Sequence, residues 1–399
     1  MAYLSGRGLT TRLERAVDRA VPREQAFTSR LRGPEVASRV GAWLGGCFVL
    51  ALLTGVYSHV AQQSSPVLPL PGRPVSLYRL SQGLHVAVGT AAVPLLLVKM
   101  WAVYPRLFAR PPRPRRDVAL HALERASIAV LVMSAIFQLA TGLANAAQWY
   151  PWGFGFRGTH YAVGWVAVGA LLVHVAVKLP AVRDAFAGGL TEEEAPPPGG
   201  PAALTRRSLL RVTWVAAGAT VLATAAAGVP GLRRVSVLAV RTGDGPGGVP
   251  VNRSAAAAGV TGLASDPDYA LTVTGPGGTV RLGRTELEAL PQHSADLPIA
   301  CVEGWSASGT WTGVRVRDLV ALVAAPPGAA VLVRSLQPRG AYRESRLPGS
   351  VARDPLTLLA LGLGGKPLSL DHGYPCRVIA PNRPGVLQTK WVSHLEVEA

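Results

Sequence analysis

Cysteine is scarce in this sequence: 399 residues include three, Cys47, Cys301 and Cys376. Cys47 lies inside an apolar run, so the chain has no set of cysteines that could form a disulfide framework. A single cysteine in a protein core is usually inert packing, and this interpretation suits Cys47 and Cys376. Cys301 has neighbours of a different kind, which are described below.

Acidic residues are also scarce, with 23 Asp and Glu against 40 Lys and Arg and a formal net charge of +17. An excess of this size raises the question of nucleic-acid binding. The excess is confined to residues 1–234, which hold 25 basic and 10 acidic residues, whereas residues 235–399 hold 15 and 13. Basic residues between apolar spans set membrane orientation. We therefore expect a membrane partner and no nucleic acid.

Long apolar runs crowd the first part of the chain. Five of them have the length and composition of transmembrane helices. They cover Val40–Val60, Leu77–Val103, Val118–Ala147, Tyr161–Leu179 and Leu209–Val229. The sequence thus predicts a multi-domain protein that begins with an all-α bundle of five transmembrane helices.

The loops between these runs differ in charge. Arginines crowd the segment 1–37 and the loop between the second and third runs, and basic residues recur in the segment between the fourth and fifth runs. The other two loops hold one arginine each, Arg73 and Arg157. The positive-inside rule then predicts a multi-pass protein of the cell membrane, with a cytoplasmic N-terminal segment and an extracytoplasmic C-terminal domain.

A Pro/Gly-rich segment, residues 181–204, reads as a flexible linker. The predicted fifth helix, residues 205–230, follows it and begins with Thr205-Arg206-Arg207-Ser208-Leu209-Leu210. This start resembles a twin-arginine export signal placed internally. The alternative is an ordinary basic flank of a membrane helix. The two interpretations have different consequences, because twin-arginine export carries domains that have already folded around a cofactor.

Histidines recur in the apolar runs, and ionisable residues there tend to mark function. His160 and His174 are 14 residues apart, which places them on nearly one helix face about 21 Å apart. His85 matches His160 in depth, and His121 matches His174. Neutral imidazoles on opposing helices can ligate b-type haem. The alternative is that interfacial histidines cap helices or bind lipid headgroups.

Residues 38–180 resemble the four-helix cytochrome b membrane subunits of bacterial oxidoreductases, on helix number and histidine placement. The resemblance implies haem b and a quinone or quinol partner. Without haem, this part would be a passive membrane anchor.

Residues 235–399 mix short strands and helices, which predicts an α+β domain rich in β-structure. Predicted strands are Leu297–Ala300, Val331–Ser335 and Trp391–Val397, and Tyr269–Leu282 reads as a hairpin. Predicted helices are Val316–Val323 and Pro355–Leu361.

Cys301 comes at the end of a predicted strand and before a loop that contains glycine, in the stretch LPIACVEGWS. A thiolate in such a position can bind a soft metal. Further along are Tyr342, His372, Arg377 and Lys390. The last two supply the charge-assisted donors that an anionic, phosphate-bearing cofactor needs.

The motifs CVEGWS, WTGVRVRDLV, AYRES, ARDPLTLLALGLGGKPL, HGYPCRVIAP and G-x4-KW occur in this order. As a set they resemble the molybdopterin-binding domain of the sulfite oxidase superfamily, over about the last 130 residues. The resemblance implies that Cys301 binds molybdenum and that His372, Arg377 and Lys390 hold the pterin and its phosphate. It also implies that Tyr342 is a catalytic residue of the substrate pocket.

The residues that follow Cys301 differ from those of sulfite oxidases, and this difference bears on the substrate. Sulfite oxidases proper follow the metal cysteine with a Gly-Asn-Arg-Arg type run, whereas Glu303-Gly304-Trp305 is closer to the periplasmic methionine-sulfoxide reductases. We therefore expect a molybdopterin oxidoreductase that transfers an oxygen atom from an S-oxide or N-oxide, with electrons from quinol. A sulfite-oxidising enzyme, with Arg343 or Arg346 supplying charge, is the alternative. A non-catalytic module in which Cys301, His372 and Cys376 bind copper is a hypothesis of another class.

Overall fold

The structure, a computed structural model, describes residues 27, 29–66, 68, 70–108, 115–187, 205–225, 235–238 and 246–398. Most of the predicted segment 1–37 and most of the linker 181–204 lie outside these residues, and so does the last part of the predicted helix 205–230. The remaining ranges hold a helical N-terminal part and a sheet-rich C-terminal part. The predicted multi-domain layout is confirmed to the extent of a helical part followed by a sheet-rich part.

Five long helices lie in the described N-terminal part. They are α1 (Pro34–Ala61), α2 (Leu77–Val103), α3 (Arg115–Ala146), α4 (Phe156–Ala187) and α5 (Arg206–Thr224). Four segments are long and apolar enough to cross a membrane: Pro34–Ala61, Leu77–Arg106, Ala122–Ala146 and Phe156–Ala187. They coincide with the first four predicted spans and suggest a membrane location. α5 carries three arginines, and its continuation to Val229 lies outside the described residues, so the fifth span stays a prediction.

The surfaces of these helices are apolar where a water-soluble protein would be polar. Leu53, Leu97, Met133 and Leu172 each expose more than 60% of their surface. A surface patch of this kind is unfavourable in water and is expected of helices that face lipid.

Contacts between backbones divide the chain into two units. One comprises Met1–Val49, Val88–Gly142 and Phe154–Val221, and the other comprises Leu50–Ala87, Leu143–Gly153 and Leu222–Ala399. The second unit therefore combines the C-terminal domain with one end each of α1, α2, α3 and α5 and the segment that follows α3. The domain boundaries drawn from the sequence stay predictions.

Two sheets organise the C-terminal domain. The first has the strand order β2-β1-β10-β5-β6, and the second has the order β3-β4-β7-β8 with β9 beside β7. All pairs are antiparallel except β1 with β10. The strands are β1 (Ala270–Gly275), β2 (Gly278–Gly283), β3 (His293–Ala300), β4 (Ser306–Arg315), β5 (Val331–Ser335), β6 (Glu344–Leu347), β7 (Leu358–Leu363), β8 (Lys366–Pro367), β9 (Arg377–Ile379) and β10 (Val392–Val397).

Two short helices precede the strands, α6 (Ala255–Ala258) and α7 (Thr261–Ala264), and three lie between strands, α8 (Arg284–Ala289), α9 (Val316–Ala321) and α10 (Gly349–Ala352). The domain has two main hydrophobic cores. One contains Leu271, Leu395 and Cys376, and the other contains Leu297, Trp311 and Cys301. Cys376 is thus core packing, as expected, and Cys301 belongs to the core on the other side.

The predicted helix Pro355–Leu361 is wrong. The chain forms a turn there and continues as β7, which pairs with β4, β8 and β9. The leucine-rich segment favours a helix by intrinsic propensity, but five of the six residues of β7 are buried. A strand buried on both faces reads as a continuous apolar run, and periodicity alone cannot separate it from a buried helix. The predicted hairpin and the other predicted strands are present.

Candidate functional site

Cys301 lies directly after β3, where the chain makes a tight loop before β4. Its N–H donates to the carbonyl of Trp305 (2.9 Å), and the N–H of Gly304 donates to the carbonyl of Cys301 (3.1 Å). Gly304 has φ of +86°, and a Cβ there would come within 2.8 Å of Val86 Cγ2. Only glycine meets both conditions without strain, and the loop therefore holds the thiol at a fixed point of the sheet edge.

Acidic and aromatic neighbours surround the thiol. Cys301 Sγ lies 3.6 Å from Glu303 Oε2, which accepts from Trp305 Nε1 at 2.9 Å and from Gln148 Nε2 at 2.6 Å. Burial, and then the charge of Glu303, raise the pKa of the Cys301 thiol well above its usual range, whereas the N–H groups of Glu303 and Val302 lower it. Burial and Glu303 thus favour the thiol over the thiolate, and a bound metal ion would shift the preference to the thiolate, which is the form that ligates a metal.

The second unit brings residues from the ends of the long helices onto this loop. Asn145 Nδ2 donates to the carbonyl of Val302 at 2.9 Å, and Gln82 Nε2 lies 3.4 Å from the same oxygen. Both amide side chains are buried. The sequence-based prediction missed these two residues and Gln148, because nothing in a single sequence pairs them with a loop about 150 to 220 residues away.

Three cationic residues follow β8 in the chain, and one of them, Lys390, lies within electrostatic reach of Cys301. Arg377 and Arg383 are buried, Lys390 is partly buried, and none of the three forms an ion pair with a residue in the described ranges. Arg377 lies over the Trp311 ring, 5.0 Å from its centroid, and its Nε has no hydrogen-bond partner among the described residues. Buried charges are normally paired, so this group lacks an anion. The arrangement fits a phosphate-bearing cofactor.

Burial disfavours the charged forms of these groups. It lowers the pKa of Arg377 to about 9 and that of Arg383 to about 10. Burial and then the charge of Arg377 lower the pKa of Lys390 to about 7, and the charges of Asp371 and Cys301 act in the opposite direction. Lys390 is thus close enough to both Arg377 and Cys301 for their charges to influence it. Arg383 was not predicted, although it lies between two recognised motifs.

His372 positions this group through its backbone. Its carbonyl accepts from Arg377 Nη1 at 3.0 Å, and its neighbour Asp371 accepts from Lys390 Nζ at 2.7 Å through the backbone oxygen. Its Nε2 donates to the Val249 carbonyl at 2.9 Å, and its Nδ1 accepts from Ser369 at 2.8 Å. Burial lowers the pKa of His372, which keeps the ring neutral. Direct contact between His372 and a pterin stays a prediction.

Tyr342 lies in the connection between β5 and β6, and its side chain is partly buried. Its predicted place in a substrate pocket stays a prediction. The two nearby arginines have acidic partners: Arg343 Nη2 lies 4.0 Å from Glu344, and Arg346 pairs with Glu398. Arg346 is thus paired within the domain, whereas Arg343 and Arg334 both lie near Glu344.

Two of the four singled-out histidines have well-defined environments. His85 Nδ1 lies 3.0 Å from Ala51 O and from Thr54 Oγ1, and His160 Nδ1 lies 3.1 Å from Thr141 Oγ1. The carbonyl only accepts, and both threonine hydroxyls donate to backbone carbonyls of their own helices. We therefore assign the proton to Nδ1 in both rings, which places the ring lone pair on Nε2.

The other two histidines are less defined. His174 has a partly buried side chain on α4. His121 lies on α3, but its side chain is outside the described residues. The predicted pairing of His121 with His174, and of His85 with His160, stays a prediction.

Residues 258–399 match the sequence family described as oxidoreductase molybdopterin binding domain. The chain carries a molybdopterin-binding oxidoreductase domain. This range includes Cys301, Arg377 and Lys390, and it begins within the short helix α6, so it takes in nearly all of the sheet-rich domain. The predicted superfamily is confirmed for this domain.

Named relatives include sulfite oxidase and methionine-sulfoxide reductase proteins. Mitochondrial sulfite oxidase of Rattus norvegicus is 29% identical over 163 residues, which cover 34% of this chain and 30% of that protein. The methionine-sulfoxide reductase catalytic subunit MsrP of Xanthomonas campestris is 36% identical over 105 residues, 23% of this chain and 32% of that protein. A protein of Azospira oryzae named as a methionine-sulfoxide reductase subunit, YedZ1, is 33% identical over 112 residues, 28% of this chain and 42% of that protein. The chain thus spans less than half the length of each relative.

Proposed function

We propose that this protein is a membrane-anchored molybdenum-cofactor oxidoreductase that transfers an oxygen atom on the outer face of the membrane. The observation that carries the proposal is the buried Cys301 at the end of β3, within electrostatic reach of Lys390, which in turn lies within electrostatic reach of the buried Arg377. One metal-binding thiol and a basic group for a phosphate are what such a cofactor needs from a protein.

In this proposal Cys301 supplies the single protein thiolate to molybdenum, and Arg377 and Lys390 hold the phosphate of the pterin. His372 orients Arg377 through its carbonyl, and Tyr342 lines the substrate pocket. The cofactor, when bound, supplies the oxygen-transfer chemistry, and the protein binds, orients and excludes water. With an S-oxide as substrate, the reaction balances when the sulfoxide takes up two protons and two electrons and yields a thioether and one water molecule. Quinol, which becomes quinone, is the source of the two electrons.

Reduction of an S-oxide or N-oxide is favoured over sulfite oxidation by two observations. The loop residues Glu303 and Trp305 form a hydrogen-bonded pair beside the thiol, where sulfite oxidases proper place arginines. Arg343 and Arg346, which were candidates for replacement charge, already pair with acidic residues. Similarity to both sulfite oxidase and methionine-sulfoxide reductase proteins leaves sulfite oxidation as the second candidate.

The membrane part is proposed to carry haem b between quinol and the molybdenum domain. The Nδ1-protonated rings of His85 and His160 support this, because a metal-ligating histidine usually donates its other nitrogen to an acceptor. Glycines lie beside both rings: a Cβ at Gly55 would meet His85 Cε1 at 3.2 Å, and one at Gly142 would meet His160 Cε1 at 3.7 Å. The four apolar helices support the membrane location.

A copper module is disfavoured. In the part of the chain that the structure describes, no group of three or more His, Cys, Asp or Glu side chains could hold a metal ion. Cys376 instead lies 3.1 Å from the hydroxyl of Tyr269 in the other core.

Elemental analysis of the purified full-length protein tests the proposal. We expect about one molybdenum per chain, its loss in Cys301→Ser, and its retention in the matched control Cys376→Ala. Copper without molybdenum, or full molybdenum content and turnover in Cys301→Ser, would overturn it.

Spectroscopy of purified membranes tests the electron route. We expect a b-type haem spectrum on reduction with dithionite, and reoxidation of that haem when an S-oxide is added. Haem reduction on anaerobic mixing with sulfite would reverse the direction of the reaction, and the absence of any b-type spectrum would remove the electron route.

A further inference from the structure

The peptide group between Val302 and Glu303 links the metal-binding thiol to two buried amides. Its N–H, on Glu303, is close enough to the sulfur of Cys301 to lower the pKa of that thiol. Its carbonyl, on Val302, accepts from Asn145 Nδ2 at 2.9 Å and faces Gln82 Nε2 at 3.4 Å. All of these residues belong to the second unit. One peptide dipole therefore has the sulfur at its positive end and amide donors at its negative end.

Hydroxyl groups fix the direction of both amides. The hydroxyl of Tyr150 donates to Asn145 Oδ1 at 3.0 Å, and the hydroxyl of Ser58 donates to Gln82 Oε1 at 3.0 Å. Burial, and then the charges of Glu303 and Cys301, raise the pKa of Tyr150 to about 12, so this hydroxyl keeps its proton at neutral pH. With the amide oxygens occupied in this way, the amide nitrogens point at the Val302 carbonyl.

Hydrogen bonds in such a chain polarise one another. A donor at the Val302 carbonyl makes the N–H on the other side of the same peptide a stronger donor. Hydrogen bonds to a ligating sulfur withdraw charge from it and raise the reduction potential of the metal that it binds. The direct effect of Asn145 and Gln82 is thus on the electron density of the cysteine sulfur.

We propose that Asn145 and Gln82, which lie at the ends of the helices α3 and α2, are positioning residues that tune the Cys301 thiolate through the Val302–Glu303 peptide. The inference rests on the proposed function, because it concerns the molybdenum-bound form of Cys301. It adds that two apolar helices complete the metal site, which is a role beyond anchoring. Because Tyr150 orients Asn145, it acts in the same chain one step further out.

The test compares Asn145→Leu, which keeps the branching of the side chain and removes the amide N–H and C=O groups, with the full-length wild type. Ser134→Ala is the matched control, because Ser134 is a buried polar residue of the same helix that donates to its own helix at Leu131. The readouts are molybdenum per chain, the electron paramagnetic resonance signal of one-electron-reduced molybdenum, and its midpoint potential.

We expect Asn145→Leu to retain molybdenum, to alter the resonance signal and to lower the midpoint potential, while Ser134→Ala matches the wild type. A tenfold weaker stabilisation of the reduced centre corresponds to about 59 mV for one electron. Tyr150→Phe should shift the potential in the same direction by less. It also serves as the second variant if Asn145→Leu does not fold.

Wild-type potential and signal in both Asn145→Leu and Tyr150→Phe, at full molybdenum content, would overturn this inference and leave the proposed function intact. Wild-type protein without molybdenum would overturn both. The two failures are therefore distinguishable in one set of preparations.

Discussion

At the scale of single residues, two buried cysteines have different environments. Cys301 ends a strand beside Glu303, while Cys376 contacts Tyr269 within the opposite core. The sequence distinguished them because Cys301 precedes a glycine-containing loop and carries a family motif, and its role as a metal ligand stays a prediction. It could not indicate Arg383, Asn145 or Gln82, because their roles depend on contacts between distant segments.

Lys390 makes the cofactor-free protein sensitive to pH. Its pKa is about 7 in the folded protein and returns to the ordinary value of lysine on unfolding. Between these values the unfolded state binds one more proton, so the stability of the cofactor-free protein should rise with pH from about 7 to 10. Thermal unfolding across this range measures the effect, and Lys390→Met should flatten it. The same slope in Lys390→Met would assign the pH dependence to another group.

At the scale of elements, the cysteine loop depends on a close contact between Gly304 and Val86. Gly304→Ala should destabilise the protein by about 1–3 kcal/mol and lower molybdenum content, since it adds both a strained φ and a collision. Gly365→Ala is the matched control, with φ of +75° and open space around its Cβ. In thermal unfolding and elemental analysis, the control should show the effect of the strained φ alone. Adding Val86→Ala should partly restore the stability and molybdenum content of Gly304→Ala. Equal effects in the two glycine variants would argue against the Val86 contact.

β7 offers a second test at this scale. Leu359 is fully buried in the strand that was predicted as a helix, so Leu359→Ala should cost about 2–5 kcal/mol of unfolding free energy. Leu322→Ala, at a leucine that is 47% exposed, should cost less than about 0.5 kcal/mol. Denaturant unfolding of the two variants measures the difference. A small effect at Leu359 would be inconsistent with a buried central strand.

The helices and strands show which sequence patterns are sufficient to predict an element. The hairpin β1–β2 and the closing strand β10 alternate in polarity and were predicted, and four apolar helices were evident from length alone. β7 was missed because its residues are apolar on both faces. The order of the strands in the two sheets was not predicted, since pairing such as β1 with β10 joins segments more than 100 residues apart.

At the scale of the whole molecule, the proposed outer location of the metal domain requires that the domain be moved across the membrane. A cofactor held by buried cations is expected to bind during folding, which favours export of a folded domain through the pair Arg206-Arg207. Replacing both by lysine keeps the charge, so we expect export and molybdenum content to fall while Arg211→Lys has no effect. Fractionation and elemental analysis decide this. Normal export of the double variant would identify the pair as an ordinary basic flank.

The second unit is built from separate segments of the chain, and this affects what happens when the chain is cleaved between them. The segment between α1 and α2 is attached to the C-terminal domain: Asn382 Nδ2 donates to Pro71 O at 2.7 Å and Asn382 Oδ1 accepts from Tyr78 N at 2.7 Å, while Arg346 N donates to Ser64 O at 2.7 Å. These contacts join parts of the chain on opposite sides of residues 188–204.

A protease site engineered into residues 188–204 should therefore yield two fragments that purify together in mild detergent after cleavage. Asn382→Ala, which removes two of these hydrogen bonds, should weaken their association, and pull-down through a tag on either fragment measures it. Fragments that separate at once in the wild type would contradict this expectation. The cleaved protein would then behave as a complex of two polypeptides, because neither fragment alone contains all the segments that build the second unit.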